Sequence, residues 1–131
     1  MNTPILLAIF GCFFVAAYSI PVSPPFIPSP EVQKCSDDHH ITPLKGDQLA
    51  KHRVQAENDD EKCFLSCYLK ERGYLVNGKM DFNKMIEAHK RYVPEQGWKA
   101  MEDKFRECEK NLVYEGKTVC EIAYAAYTCA K

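Results

Sequence analysis

Several things are scarce or absent in this chain, and each absence removes a class of function. There is no membrane span: the apolar run near the start, Ile5 to Ala17, holds only 13 residues, whereas a spanning helix needs about 20. There is no basic stripe: 17 Lys and Arg stand against 18 Asp and Glu, for a formal charge of −1 and a pI near 6.4. A nucleic-acid binder needs clustered cations to neutralise phosphates, so that class is excluded. Serine is nearly missing beyond residue 36, with Ser66 the sole one, and it lies between two cysteines. No G-x-S-x-G elbow and no H-E-x-x-H pattern occurs. A secreted phospholipase would carry a histidine beside paired cysteines, and this chain carries none there. The sequence therefore predicts a protein that is not an enzyme and has no catalytic residue and no cofactor.

The first 19 residues also lack any charged side chain. A short apolar run ending in small residues reads as a secretory signal peptide, with Ala17 and Ser19 at the −3 and −1 positions of a cut after Ser19. A secreted, extracellular protein is expected. Ile20 to Pro30, IPVSPPFIPSP, carries five prolines and cannot propagate a helix, so it should form an extended N-terminal arm. Val22, Phe26 and Ile27 give that arm an apolar side that could lie against the body. Residues 31–131 form the expected domain.

That domain reads as all-α, with about six short helices and no run of strands. A short first helix is expected to end near Cys35. Thr42-Pro43 is an N-cap followed by a first-turn proline and opens a helix running toward Val54, weakened at Gly46. The acidic stretch Glu57 to Glu61 suits a helix N-terminus, and the helix it opens, carrying CFLSCYL, stops at Gly73. Asn77-Gly78 is a turn. Asp81 caps a helix whose stripe is Phe82, Met85, Ile86, His89 and Val93, ended by Pro94. The next helix presents Trp98, Met101, Phe105, Cys108 and Leu112. The last begins at Lys117 or Thr118 and, like CFLSCYL, is apolar almost all round, which places these two in the middle of a bundle.

Removing the signal leaves six cysteines: Cys35, Cys63, Cys67, Cys108, Cys120 and Cys129. An even number in a small secreted chain reads as three disulfides. Residues four apart on a helix hold their Cβ atoms about 5–6 Å apart, while a disulfide wants about 3.8 Å. Cys63 and Cys67 should therefore each find a different partner, and several pairings stay open on geometry alone.

The spacing C-x27-C-x3-C-x40-C-x11-C-x8-C, with ITP, DQLAKH, KCFLSC, VNGKMD and CEIAY between or around the cysteines, resembles the insect odorant-binding protein family of the six-cysteine pheromone and general odorant-binding type. The resemblance covers nearly the whole mature chain. It implies the pairs Cys35–Cys67, Cys63–Cys120 and Cys108–Cys129. It implies a helical shell around an apolar cavity and a carrier of small hydrophobic molecules such as odorants, pheromones or fatty acids. It points to a chemosensory receptor or a homodimer as the macromolecular contact.

The inner stripes supply the ligand-binding candidates. They are Phe82, Met85, Ile86 and His89 on one helix; Trp98, Met101 and Phe105 on the next; and Ile122, Ala123, Tyr124 and Tyr127 on the last. Val54, Leu65 and Leu69 are second choices. Periodicity marks these faces as inward and does not separate core from cavity wall. Tyr127 and His89 would each set a polar group among apolar atoms. Only Ala130 and Lys131 follow Cys129, so no tail-insertion release is expected, and the proline arm is the one segment that could act as a cover. A metal site at His39, His40, His52 and His89 is the weaker reading, since adjacent histidines seldom chelate one ion together; a pH response through His89 or His40 is the stronger one. The alternative to a carrier is a gland or seminal-fluid factor of the same fold that acts through its surface.

Overall fold

The computed structural model describes residues 18–131. All but the last two residues of the signal segment read over 1–19 lie outside the described residues. Residues 18–29 run without secondary structure. Val22 and Ile27 do not lie against the body, being 91% and 82% exposed, and Phe26 is only partly covered.

Each helix starts where a side chain can cap it. α1 (Pro30–Asp38) has Ser29 as N-cap and Pro30 in its first turn. α2 (Pro43–Ala50) begins the same way on Thr42 and Pro43. The Asn58 side chain accepts from the Glu61 N–H to open α3 (Asp59–Glu71). Asp81 caps α4 (Phe82–His89). α5 (Trp98–Asn111) follows a single 3-10 turn at Glu95–Gly97. Thr118 and Glu121 form a reciprocal capping box for α6 (Val119–Cys129).

Helix ends depart from expectation in three places. α2 stops at Ala50 rather than near Val54, because the chain closes a Schellman motif there. The Arg53 N–H donates to the Gln48 carbonyl and the His52 N–H to that of Leu49, with His52 in the left-handed region at φ 56°. α1 runs past Cys35 to Asp38 and ends similarly, with His40 at φ 55°. α4 ends at His89, five residues before Pro94, and Val93 lies outside it. Proline disfavours the helical region for the residue before it, and by then the chain has already turned, with the Tyr92 N–H donating to the His89 carbonyl. Strands are not wholly absent either. β1 (Leu75–Val76) and β2 (Lys79–Met80) pair antiparallel, Leu75 opposite Met80, across Asn77-Gly78. Both turn residues have positive φ, as a tight hairpin requires.

α3 and α6 are the central pair. Phe64 and Leu65 on α3 and Ala123 and Ala126 on α6 are fully buried; the two alanines let the helices approach closely. The disulfides are Cys35–Cys67, Cys63–Cys120 and Cys108–Cys129, and the second joins α3 to α6 at a Cα separation of 4.6 Å. The Cys63/Cys67 pair thus ties one helix to α1 on one side and α6 on the other. Gly46, which costs α2 some intrinsic stability, is required by packing. A Cβ there would sit 2.5 Å from Ser36 Oγ and 2.9 Å from the Phe64 ring.

Candidate ligand-binding cavity

Among the described residues a cavity of about 640 Å³ opens, within the range of pockets that enclose small organic ligands. It sits where four helices end. Ala50, Lys51 and His52 come from the close of α2, and Tyr68, Leu69, Arg72 and Tyr74 from the close of α3. Met85, Ala88, His89 and Tyr92 come from α4 and the turn after it, and Tyr127 and Ala130 from the end of α6. No cysteine borders it.

Its floor is apolar. Leu69, Met85 and Tyr127 are almost fully buried. The His52 ring stacks on Tyr127 with centroids 3.9 Å apart and planes within 3°, and the His89 ring leans on buried Phe105 at 4.9 Å. The two polar groups of this floor are held by the backbone. The Tyr127 hydroxyl donates to the Leu49 carbonyl. His89 Nδ1 lies 2.7 Å from the Met85 carbonyl oxygen; that oxygen can only accept, so Nδ1 donates, and in the neutral ring Nε2 is then the acceptor. Burial pushes the Tyr127 phenol up to about 12, and burial also raises Tyr68, so both stay neutral hydroxyls at ordinary pH. His52 is lowered, first by burial and then by the nearby Lys131 cation. Its Nδ1 is buried without a hydrogen-bond partner.

The rim carries cations and no carboxylate. Lys51 is paired with Asp47 at 2.8 Å. Arg72 lies beside the Tyr74 hydroxyl and near Glu31, but the Glu31 carboxylate is engaged first by its own backbone N–H and by Ser29 at the start of α1. Two smaller clefts differ in character. One of about 330 Å³ mixes Lys62, Lys117 and Glu121 with Tyr124. Another of about 440 Å³ is bordered by Lys34, Asp38 and Glu71 and by the cysteine hub; Ser66 lies there, on its helix between bridged cysteines.

Of the residues expected at a ligand site, Met85, His89 and Tyr127 meet in the large cavity, as does the second choice Leu69. Phe82, Ile86 and Phe105 are buried in the core without bordering it, as are Ile122, Ala123 and Leu65. Trp98 is half-buried away from the cavity, donating Nε1–H to the Val93 carbonyl at 2.8 Å, with Lys90 over its ring. Met101 and Val54 pack against the core from outside, and Tyr124 faces the smaller cleft under Lys62. The wall residues that periodicity did not mark, among them His52, Tyr68, Arg72, Tyr74 and Tyr92, lie at or beyond helix ends. Stripe counting stops there; the one signal that could have found them is that four helix termini carry aromatic or basic residues. Among the described residues no cluster of His, Cys, Asp and Glu could hold a metal ion; His40 and His52 instead stand at left-handed helix ends.

A helical shell tied by three disulfides around an apolar cavity defines a binding protein for small hydrophobic molecules. The chain belongs to the PBP/GOBP family, whose family model matches residues 30–131. That family consists of binding proteins rather than enzymes and takes small hydrophobic ligands. No curated protein and no solved structure matches the chain. Among the described residues no helix is long and apolar enough to cross a membrane.

Proposed function

We propose that this protein is a secreted carrier that reversibly binds and solubilises small hydrophobic molecules such as odorants, pheromones or fatty acids. The observation that carries the reading is the 640 Å³ cavity with its floor of Leu69, Met85 and Tyr127. Apolar ligand surface leaves water there at roughly 25 cal/mol per Å², and Met and aromatic walls adapt to ligands of differing shape. Three disulfides suit an oxidising, extracellular compartment, which supports the signal-peptide reading of the first 19 residues. The open cavity favours the carrier over a factor of the same fold that works only through its surface, for which a filled core would be expected. Delivery to a chemosensory receptor, alone or as a homodimer, belongs to the same proposal and rests on the family.

The test is displacement of a fluorescent apolar probe from the purified protein. Long-chain alcohols, fatty acids or volatiles should compete at micromolar concentration. If none does, the carrier reading fails. Trp98 lies away from the cavity, so intrinsic tryptophan emission should change little as the site fills.

A further inference from the structure

One cleft outside the large cavity combines an apolar side with unpaired cations. It measures about 330 Å³ and lies between the end of α5, the loop after it and α6. Leu112, Val113, Ala125 and the Cys108–Cys129 bridge form its apolar side, and Val113 is 58% exposed. The bridge ties α5 to α6, so the two walls are cross-linked. No residue borders both this cleft and the large cavity.

Its polar side holds Lys62, Lys117, Glu121 and Asn111. Among the described residues, neither lysine has a carboxylate within ion-pairing distance. Lys62 is partly buried, with Nζ 5.2 Å from the centroid of the Tyr124 ring, a contact that leaves its charge in place. Glu121 is the one carboxylate at the cleft, and it accepts the Thr118 N–H at 2.8 Å in the capping box of α6. Two lysines against one glutamate leave one positive charge in excess. Asp59 borders the adjoining cleft of about 270 Å³ and not this one. The first turns of α3 and α6 and the last turns of α5 and α6 all border the space, and their partial charges offset one another.

Three kinds of occupant can be weighed against that surface. An ammonium would add a third cation. A neutral apolar molecule would cover two ammonium groups without answering either, and taking an unpaired charge out of water is costly. An organic anion answers the excess charge, and its apolar part covers what the cleft leaves open to water.

We infer that this cleft is a second binding site, for a small organic anion with an apolar body, such as a medium-chain carboxylate. The carboxylate meets Lys62 and Lys117, and the chain lies over Leu112, Val113 and Ala125. The space is at the small end of ligand pockets and suits a chain of about eight carbons. The site does not depend on the carrier reading, which concerns the large cavity.

The test keeps the large cavity filled with the apolar probe and titrates acetate, octanoate, octan-1-ol and octylammonium, following backbone amide NMR shifts and probe emission together. Octanoate should move the Val113 and Ala125 amides along a saturating curve while the probe stays bound. It should bind at least about tenfold more tightly than acetate, which lacks the chain, and about tenfold more tightly than the alcohol or the ammonium. Lys62→Met with Lys117→Met keeps the apolar stems; it should weaken octanoate by about tenfold and leave the probe's affinity unchanged. Lys117→Glu, at an exposed position, should reverse the order of octanoate and octylammonium. Shifts at Val113 and Ala125 that never saturate overturn the second site, as does equal binding by acetate or octylammonium. Octanoate that displaces the probe and moves only residues of the large cavity also overturns it, and leaves the carrier reading standing. If the probe itself does not bind, the carrier reading fails, and the octanoate titration of Val113 and Ala125 still decides the second site.

Discussion

The hub where α3 meets α6 and the cavity where four helices end are stabilised by different means. At the hub, Phe64, Leu65, Ala123 and Ala126 are fully buried, and the Cys63–Cys120 bridge holds the two helices side by side. At the cavity no disulfide takes part. Its wall is kept in place by single hydrogen bonds to carbonyls, by the His52–Tyr127 stack and by two Schellman-type helix ends, that of α2 and the one Tyr74 N–H closes on Leu69 after α3. A fold that leaves part of its interior unfilled forgoes dispersion contacts and apolar burial there. The cross-links and the dense packing lie elsewhere in the molecule. The floor can therefore be tuned for a ligand without dismantling the part that keeps the chain folded.

Removing the hub bridge should produce the largest loss. Cys63→Ser with Cys120→Ser opens a loop of 57 residues, which lowers stability by about 4 kcal/mol. Thermal unfolding should show it. A loss no greater than that of a cavity variant would erase the distinction between the regions.

Two leucines on α3 sharpen the comparison. Leu65 is fully buried at the hub and Leu69 borders the cavity. Leu65→Ala creates a sealed void and should lower stability by about 4 kcal/mol, whereas Leu69→Ala enlarges an existing space and should lower it by about 2 kcal/mol. Probe affinity should change in L69A and stay constant in L65A, provided both are measured where they are folded.

Tyr127→Phe leaves the Leu49 carbonyl without its donor and should lower stability by about 1–2 kcal/mol. The phenol's pKa is raised from 10.0 to about 12 in the folded chain. Its contribution is therefore fully present below pH 10 and is lost as pH rises through 12. Alkaline denaturation curves should show that decline in the unmodified protein and a flatter profile in Y127F.

The smallest effect lies at acid pH. His52 is lowered from 6.5 in the folded state by burial. The stability it brings is present above pH 6.5 and declines as pH falls, because the unfolded chain takes the proton first. Its buried, unpartnered Nδ1 gives the protonated ring no acceptor. His52→Asn, which tolerates the left-handed backbone at that position, should reduce the drop between pH 7 and 5 seen in urea unfolding.

Much of the frame was legible in the chain. Thr42 and Asp81 are capping types placed ahead of apolar periodicity, and a cap needs only the residues of its own turn. The two helices apolar on nearly every side, carrying CFLSC and CEIAYAAY, had to be central because no other position buries all their faces. Cys63 and Cys67 could be excluded from bonding each other by helix geometry alone, although their partners came only with the family resemblance. The CFLSC serine could be set aside for the same local reasons.

The site was far less legible. Eight of the eleven residues taken from the inner stripes do not border the cavity, since a stripe records which way a side chain faces and not what lies opposite. Phe82 and Ile86 meet the core; Met85 and His89, on the same stripe, meet empty space. Where α2 stops was decided by a histidine accepting a left-handed backbone, a role that sequence preference assigns to glycine. The sequence by itself determined the helices, the central pair and the need for cross-links, because these follow from periodicity, capping and cysteine spacing along short stretches of chain. Only the tertiary structure decided where the interior stays open and which side chains border it, because a cavity is a property of how four separate helix ends fail to meet.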